Sequence, residues 1–244
     1  MSLRIDDLQI NNLKLVQDKN LFCFGTDAVL LANFANPSKC ANILDIGTGN
    51  GIIPVLLSAK VKAKHITGIE IQKQSFLLAQ KNVEINNLQN LITVVLGDVR
   101  ETCLNEQFNY ITCNPPYKET GSGLKNPESP LAIARHEITL TLDDVFMRAS
   151  KLLVSKGKIA MVHKPERLAE IFYTMKKYKI EPKRVQFVYS NTKAKEPSLI
   201  LVEGAKDGGK GLRYEENLYV YDEDGNYTAN INNLYSKALK EDKK

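Results

Sequence analysis

The chain has 244 residues, room for one α/β domain with small additions, and its 43% hydrophobic and 25% charged residues are those of a soluble globular protein. No apolar stretch approaches the roughly 20 residues needed to span a bilayer. The opening MSLRIDDLQINNLKL has acids near its start and no unbroken apolar core, so it is neither a signal nor a transit peptide, and a cytoplasmic location is expected. Net charge is +5 and uneven: residues 1–150 hold 14 basic against 15 acidic side chains, residues 151–213 hold 15 against 6, and residues 214–244 hold 4 against 7. A positive excess confined to one stretch favours a nucleic-acid partner, the bland alternative being solvated lysines on helix faces. Cys23, Cys40, Cys103 and Cys113 show no paired spacing and only three histidines accompany them, so no metal site is expected. They read as reduced, mostly buried thiols.

Residues 1–36 read as a strand or hairpin and then a helix starting near Asp27, with Thr26 or Asp27 as candidate caps. ANILDIG is a first buried strand and NGIIPVLLSAK a helix. HITGIEI and QSFLLAQKNVEINN repeat the pattern, LITVVLGD is a third strand and FNYITC a fourth. TLDDVFMRASKLLVSKG is a helix with Thr141 as N-cap, Asp143 and Asp144 in its first turn, and Gly157 just past its end. KIAMVH is a fifth strand. ERLAEIFYTMKKYK carries Leu168, Ile171, Phe172 and Met175 on one helical face. VQFVYS and SLILVEG follow, joined by NTKAKEP, which is too short for a crossover and therefore makes an antiparallel hairpin.

The expected fold is α/β: a doubly wound, mostly parallel, seven-stranded sheet with its last strand antiparallel. Residues 37–205 form the core, 1–36 an N-terminal extension, and 206–244 a tail packed on the same domain. NLYVYDEDGNYTANI in that tail reads as two short strands around a turn at Asp224-Gly225, and its acids lack the spacing of a calcium loop.

LDIGTGNG places Asp45, Gly47, Gly49 and Gly51 at the first strand-to-helix turn, where glycines admit a ligand close to the backbone and a helix start offers free N–H groups. In a doubly wound sheet, ligands lie across the carboxyl ends of the strands. Glu70 ends the second strand and can accept from both hydroxyls of a ribose. Asp98 ends the third and can accept from an adenine amine, and Asp45 can meet an ammonium group directly or through water. S-adenosylmethionine carries all three groups; NAD would also account for Glu70, but its pyrophosphate would disfavour so many acids. Taken alone, each acid can equally be a strand-end cap.

ILDIGTGNG, GIEIQ and GDV together resemble the cofactor motifs of class I S-adenosylmethionine-dependent methyltransferases, in order and spacing, over roughly residues 40–205. The resemblance implies S-adenosylmethionine as cofactor, held by Asp45, Gly47, Gly49, Gly51, Glu70, Ile71, Asp98, Val99 and Asn114. In that topology the fourth strand ends beside the first, which puts Asn114 next to the methyl donor. Asn114-Pro115-Pro116-Tyr117 resembles the signature of methyltransferases acting on planar nitrogens: adenine N6, guanine N2 or a glutamine amide. An exocyclic amine is a weak nucleophile because its lone pair is delocalised, and two acceptors on its hydrogens favour the tetrahedral geometry it needs. The Asn114 side-chain oxygen and the Pro115 carbonyl are those acceptors, the prolines hold the carbonyl rigidly, and Tyr117 stacks on the flat target.

LVQDKNLFCFGTDAVLLANF, ARHE, HKPERL and EPSLILVEGAK resemble segments of the bacterial tRNA(Val) adenine-N6 methyltransferase family, which modifies the adenosine next to the anticodon. That likeness implies a lid over the cofactor with Phe24, Gly25, Thr26 and Asp27 near it, and adenine N6 in tRNA as the target. Guanine N2 in rRNA and a protein glutamine amide are the alternatives within the fold. The absence of room for an N-terminal helical domain before residue 40 argues against the amide. A catalytically silent RNA-binding module is the alternative of another class. Where adenine-specific members often carry a second aromatic, this chain has Lys118, suited to a phosphate. Lys118, Arg135, Lys164, Arg167, Lys193 and Lys195 are the candidate RNA-phosphate contacts. His136 and His163 read as structural or phosphate-facing, because nothing in the transfer needs an imidazole. The sequence carries no signal for an oligomeric state, and a monomer is the default.

Overall fold

The computed structural model describes residues 3–18, 21, 25–115 and 140–236. A hairpin of β1 (Leu3–Asp7) and β2 (Lys14–Asp18) leads to α1 (Thr26–Phe34). Then β3 (Asn42–Ile46), α2 (Ile52–Lys60), β4 (His65–Glu70), α3 (Lys73–Ile85), β5 (Ile92–Leu96) and β6 (Phe108–Cys113) alternate. They are followed by α4 (Leu142–Leu152), β7 (Leu153–His163), α5 (Leu168–Lys177), β8 (Ile180–Asn191) and β9 (Leu199–Lys206). Two short strands, β10 (Arg213–Tyr214) and β11 (Leu218–Tyr221), and a helix, α6 (Ala229–Ser236), close the described chain.

The seven strands expected from the sequence run in the order β5-β4-β3-β6-β7-β9-β8, and only β9 is antiparallel to its neighbours. The tail adds β10 and β11, both parallel to β8, making nine strands. Its second expected strand shrinks to one bridge, Tyr221 to Tyr227, beyond the turn at Gly225; α6 takes up the chain instead and buries Ile231 in the core.

Successive strand residues face opposite sides, so Ile43 joins one apolar layer and Leu44 the other. The first layer includes α1, α2 and the hairpin; the second includes α4 and α5, with Phe146 and Met175 almost fully buried. Each such side chain contributes about 1.5–3 kcal/mol relative to exposure. On the first face the strand register aligns one row across the sheet: Arg184, Glu203, Ala160, Thr112, Asp45 and Gly68.

Thr141 caps α4 as expected, with its hydroxyl accepting from Asp144 N at 3.1 Å and its own N–H donating to the Asp144 carboxylate at 3.1 Å. Gly157 does not end that helix. Helix α4 stops at Leu152, and Leu153 already turns extended to bury its side chain as β7 begins. Gly157 lies inside β7, where a Cβ would come within 2.9 Å of the Val154 carbonyl and 3.2 Å of the Phe108 carbonyl; close strand approach, not helix termination, demands the glycine. The N-cap of α1 is Gly25 with no side-chain cap, so neither Thr26 nor Asp27 serves as one. The cysteines also depart from expectation. Cys113 is buried at the end of β6, but Cys40 and Cys103 are exposed because both sit in loops between layers; Cys23 lies outside the described residues.

The hairpin is fastened to α3 by two asparagines one turn apart. Asn82 accepts from Val16 N (2.7 Å) and donates to Val16 O (3.0 Å); Asn86 accepts from Lys14 N (2.8 Å) and donates to Lys14 O (2.7 Å). Four helical residues rise about 6 Å and two strand residues about 6.6 Å, so the helical repeat matches alternate positions of the strand. The Asn82 amide also donates to the Asn50 carbonyl at 2.9 Å, tying the hairpin to the turn after β3.

Candidate active site

The turn after β3 is built by its glycines. Gly47 and Gly49 hold φ of +68° and +58°, and a Cβ at either would meet nothing within 4 Å, which leaves open space above the backbone. Gly51 precedes α2 at φ +82°, where a side chain would press on Ala79 at 3.3 Å. The N–H groups of Gly47 and Thr48 both donate to the Ile69 carbonyl at 3.0 Å, anchoring the turn to the end of β4. Glu70 reaches across: one oxygen accepts from Gly49 N at 2.8 Å and the other from Gln72 N at 2.8 Å.

Asp45 is fully buried at the floor of this turn. Its Oδ1 accepts from the Thr112 hydroxyl at 2.6 Å, and its Oδ2 has no hydrogen-bond partner among the described residues. The Thr48 hydroxyl and the Asn50 amide nitrogen, both buried, are likewise unpartnered there. Burial pushes the Asp45 carboxyl up to about 7; the Thr112 hydrogen bond, and then the Thr48 hydroxyl, which is nearby but outside hydrogen-bond geometry, oppose the rise, and the Glu70 charge adds to it. Gly68 lies directly beside Asp45, and its missing side chain leaves room for Thr48, which stands 2.9 Å from where a Cβ would be.

Asp98, at the loop after β5, is committed to a neighbour. Arg100 Nε donates to it at 2.8 and 3.0 Å, and the Arg100 backbone N–H donates at 2.8 Å. That hydrogen-bonded ion pair holds the Asp98 carboxyl below the usual range. Ile71 is exposed at the site edge, whereas Val99 is buried in the second apolar layer.

Strand β6 pairs with β3 as far as Ile46 and Cys113, so Asn114 emerges one step beyond that pair, beside the glycine turn. Asn114 is half-buried and Pro115 buried. The Asn114 amide nitrogen donates to Asp27 Oδ2 at 3.1 Å, which joins α1 to the end of β6. Burial, with Asp45 nearby, pushes the Cys113 thiol well above its usual range, so it is no nucleophile. Phe24, Pro116, Tyr117, Lys118, Arg135 and His136 lie outside the described residues.

The basic stretch is partly structural. Lys158 and Arg184 pair with buried Glu203, Lys176 with Glu181, Lys177 with Asp143 at 2.7 Å, and Arg167 with Glu170 through its Nε at 2.7 Å. Lys193 is exposed and 3.3 Å from Glu223. Lys164 is exposed just after β7, with its Nζ 3.4 Å from the Ser198 carbonyl, and Lys195 is exposed in the β8–β9 link. Strand direction puts the ends of β7 and β8 at the same sheet edge as Asp45 and Asn114. His163 is buried and its Nδ1 accepts from Lys164 N at 2.7 Å; burial and then Arg167 lower it to about 4, so it stays neutral.

Four residues absent from the sequence-based set shape the site: Thr48, Asn50, Asn82 and Thr112. Asn82 had a readable signal, a polar residue on the apolar stripe formed by Leu78, Ala79 and Val83. Thr112 had a weaker one, a hydroxyl in an otherwise apolar strand. Among the described residues there is no cluster of His, Cys, Asp or Glu able to hold a metal ion, and no helix is long and apolar enough to cross a membrane.

Residues 12–182 match the family model described as methyltransferase small domain. The chain is 31% identical over 236 residues to a Parabacteroides distasonis protein named tRNA1(Val) (adenine(37)-N6)-methyltransferase, covering 94% of this chain and 97% of that one. It is 32% identical over 188 residues to a Porphyromonas gingivalis protein of the same name, covering 73% and 72%. In fold it is similar to a protein described as a predicted O-methyltransferase from Agrobacterium tumefaciens, with TM-score 0.67, 20% identity, and 86% and 99% of the two chains covered. A further likeness is to the M. jannaschii tRNA m1G37 methyltransferase, with TM-score 0.58, 16% identity, and 85% and 58% covered. At such identities these two structures speak to the fold alone.

Proposed function

Because this chain belongs to the methyltransferase small domain family and to that of the tRNA1(Val) (adenine(37)-N6)-methyltransferases, we propose that it methylates the N6 amine of adenine 37 in tRNA1(Val), using S-adenosylmethionine. The observation that carries the reading is the convergence of a planar-nitrogen motif and a nucleoside-type site: Asn114 leaves β6 beside the turn that Asp45 and Glu70 flank. The residues present fit the cofactor. Three buried polar atoms, on Asp45, Thr48 and Asn50, lack partners among the described residues, and open space lies over Gly47 and Gly49. Asp45 with Asn50 would hold the amino-acid end, and Glu70 the ribose hydroxyls. When bound, the cofactor supplies a methyl group on a positively charged sulfur.

The protein's own part is to present the amine. The Asn114 oxygen and the Pro115 carbonyl accept its two hydrogens and favour a tetrahedral nitrogen, while Tyr117 stacks on the base. Asn114 is neutral and takes no proton; the amine gives one to solvent once methylation makes it cationic. Lys118, Arg135, Lys164, Arg167, Lys193 and Lys195 are the proposed phosphate contacts, Arg167 and Lys193 only by leaving their present acidic partners.

The test is incubation with methyl-labelled cofactor and separate pools of tRNA, rRNA and release factor. N6-methyladenosine in tRNA is expected; label only in rRNA guanine or in protein would overturn the substrate. Asn114→Ala should lower kcat on the order of 10²–10³-fold while cofactor still binds. Unchanged turnover would remove Asn114 from the chemistry.

A further inference from the structure

The Asn114 amide has two nearly isosteric ends of opposite hydrogen-bond character. If its nitrogen faced the target amine, a donor would meet a donor and no acceptor would draw on the N–H. Something must therefore decide which end is which, and the structure holds a group that can. Asn114 Nδ2 donates to Asp27 Oδ2 at 3.1 Å across 87 residues of sequence. A carboxylate only accepts, so only the nitrogen of Asn114 can face it; the flipped amide would set oxygen against oxygen.

Asp27 is itself located on both sides. Its Oδ1 accepts from Ala28 N at 2.9 Å in the first turn of α1, and it packs so closely that a Cβ on Gly25 would lie 2.9 Å away. Helix α1 is in turn held at its far end. Arg184 donates to the Phe34 carbonyl at 3.3 and 3.4 Å and lies 4.3 Å from the centre of the Phe34 ring, and Asn36 N donates to the Tyr110 hydroxyl at 3.0 Å. Val29, Leu30 and Leu31 are buried between these ends.

We propose that Asp27 is a positioning residue for methyl transfer: it fixes the flip of the Asn114 amide so that its oxygen, not its nitrogen, serves the target amine. The N-terminal extension thereby completes the reacting site through a side chain that need touch neither cofactor nor base. This rests on the reading of Asn114 given above.

The experiment compares D27A, D27N, N114A, the double variant D27A/N114A, N114D and D27N/N114D. It measures kcat and KM for tRNA, and S-adenosylhomocysteine affinity by calorimetry as a check on folding and on the cofactor site. D27A should lower kcat by on the order of 10–100-fold, the scale of loss when the partner orienting an active group is removed, with cofactor affinity unchanged. D27N keeps an acceptor oxygen and should lose less. D27A should cost nothing further in the N114A background. N114D sets two carboxylates face to face and should be inactive, and adding D27N should restore part of kcat by returning a donor–acceptor pair with its roles exchanged. D27A at wild-type kcat with N114A inactive would overturn this proposal alone. So would a loss of cofactor affinity that parallels the loss of kcat, or an equal D27A loss with and without Asn114. Full turnover of N114A would overturn both this proposal and the reading beneath it.

Discussion

Asp45 and Glu203 are both fully buried carboxylates, on the same row of the same sheet face, with Thr112 and Ala160 between them. Glu203 is completed by the chain: the Tyr110 hydroxyl donates at 2.5 Å, Arg184 Nη1 at 3.1 Å and Lys158 Nζ at 3.3 Å. Burial, then the Glu203 charge and hydrogen bond, push the Tyr110 phenol well above its usual range, so it remains a donor at any physiological pH. Asp45 receives one hydroxyl and carries an oxygen with no partner among the described residues. Burial alone therefore does not mark a functional acid. The difference is whether the fold itself satisfies the group, because an unmet buried charge costs several kcal/mol until something meets it. One carboxylate fastens the far end of α1, and the other is left for a ligand near the helix start.

The largest effect is expected at Glu203. Glu203→Ala would leave the largely buried Arg184 and Tyr110 without their acid and should cost about 3–5 kcal/mol of stability, read as a lower urea midpoint at unchanged slope. A drop confined to cofactor affinity would place Glu203 in the site instead. Asp45→Asn should do the reverse: fold, and lose S-adenosylhomocysteine affinity by about 1.5–3 kcal/mol, the scale of a hydrogen bond to a charged group. Calorimetry at pH 8 measures this directly.

A smaller effect follows from the raised Asp45 carboxyl. Between the usual aspartate value of 3.8 and about 7, the folded protein keeps the proton that the unfolded chain has released. Stability from this group is thus complete below pH 4 and is lost as pH rises through 7. The ligand-free Asp45→Asn variant should gain in Tm relative to wild type across that window, while cofactor affinity of the wild type tightens over the same range as Asp45 ionises. His163 works in the opposite sense. Its lowered value of about 4 means the unfolded chain binds a proton first as pH falls below 6.5, but it acts equally in both proteins and cancels. The smallest predicted effect is Lys195→Ala, which should lower the salt dependence of tRNA affinity by about one ion without changing which tRNA is methylated.

The sheet was legible because most of its strands contain a short apolar run and most alternate with helices, although β5 joins β6 without one; the short NTKAKEP link alone foretold the antiparallel β9. Asp45, Glu70 and Asn114 were legible as polar residues ending such runs. Asp27 was legible as a residue near the cofactor or a cap, but not as the partner of Asn114, a tie that exists only once β6 lies beside α1. Gly157 misled for a related reason, since a glycine after a helical pattern and a glycine where two strands crowd look identical in one dimension. Thr112 and Asn82 act through partners 67 and 66 residues away, contacts that local periodicity does not encode.

The asparagine pair on α3 has a consequence for how copies of this protein behave in company. A two-stranded hairpin normally presents two open edges, each a template for another chain's strand. Here Asn82 and Asn86 occupy the N–H and C=O groups of Val16 and Lys14, so β2 is sealed by side chains where another strand would otherwise dock. Alanine at both positions would unseal it, and concentration-dependent self-association through that edge should follow before any loss of the sheet beneath.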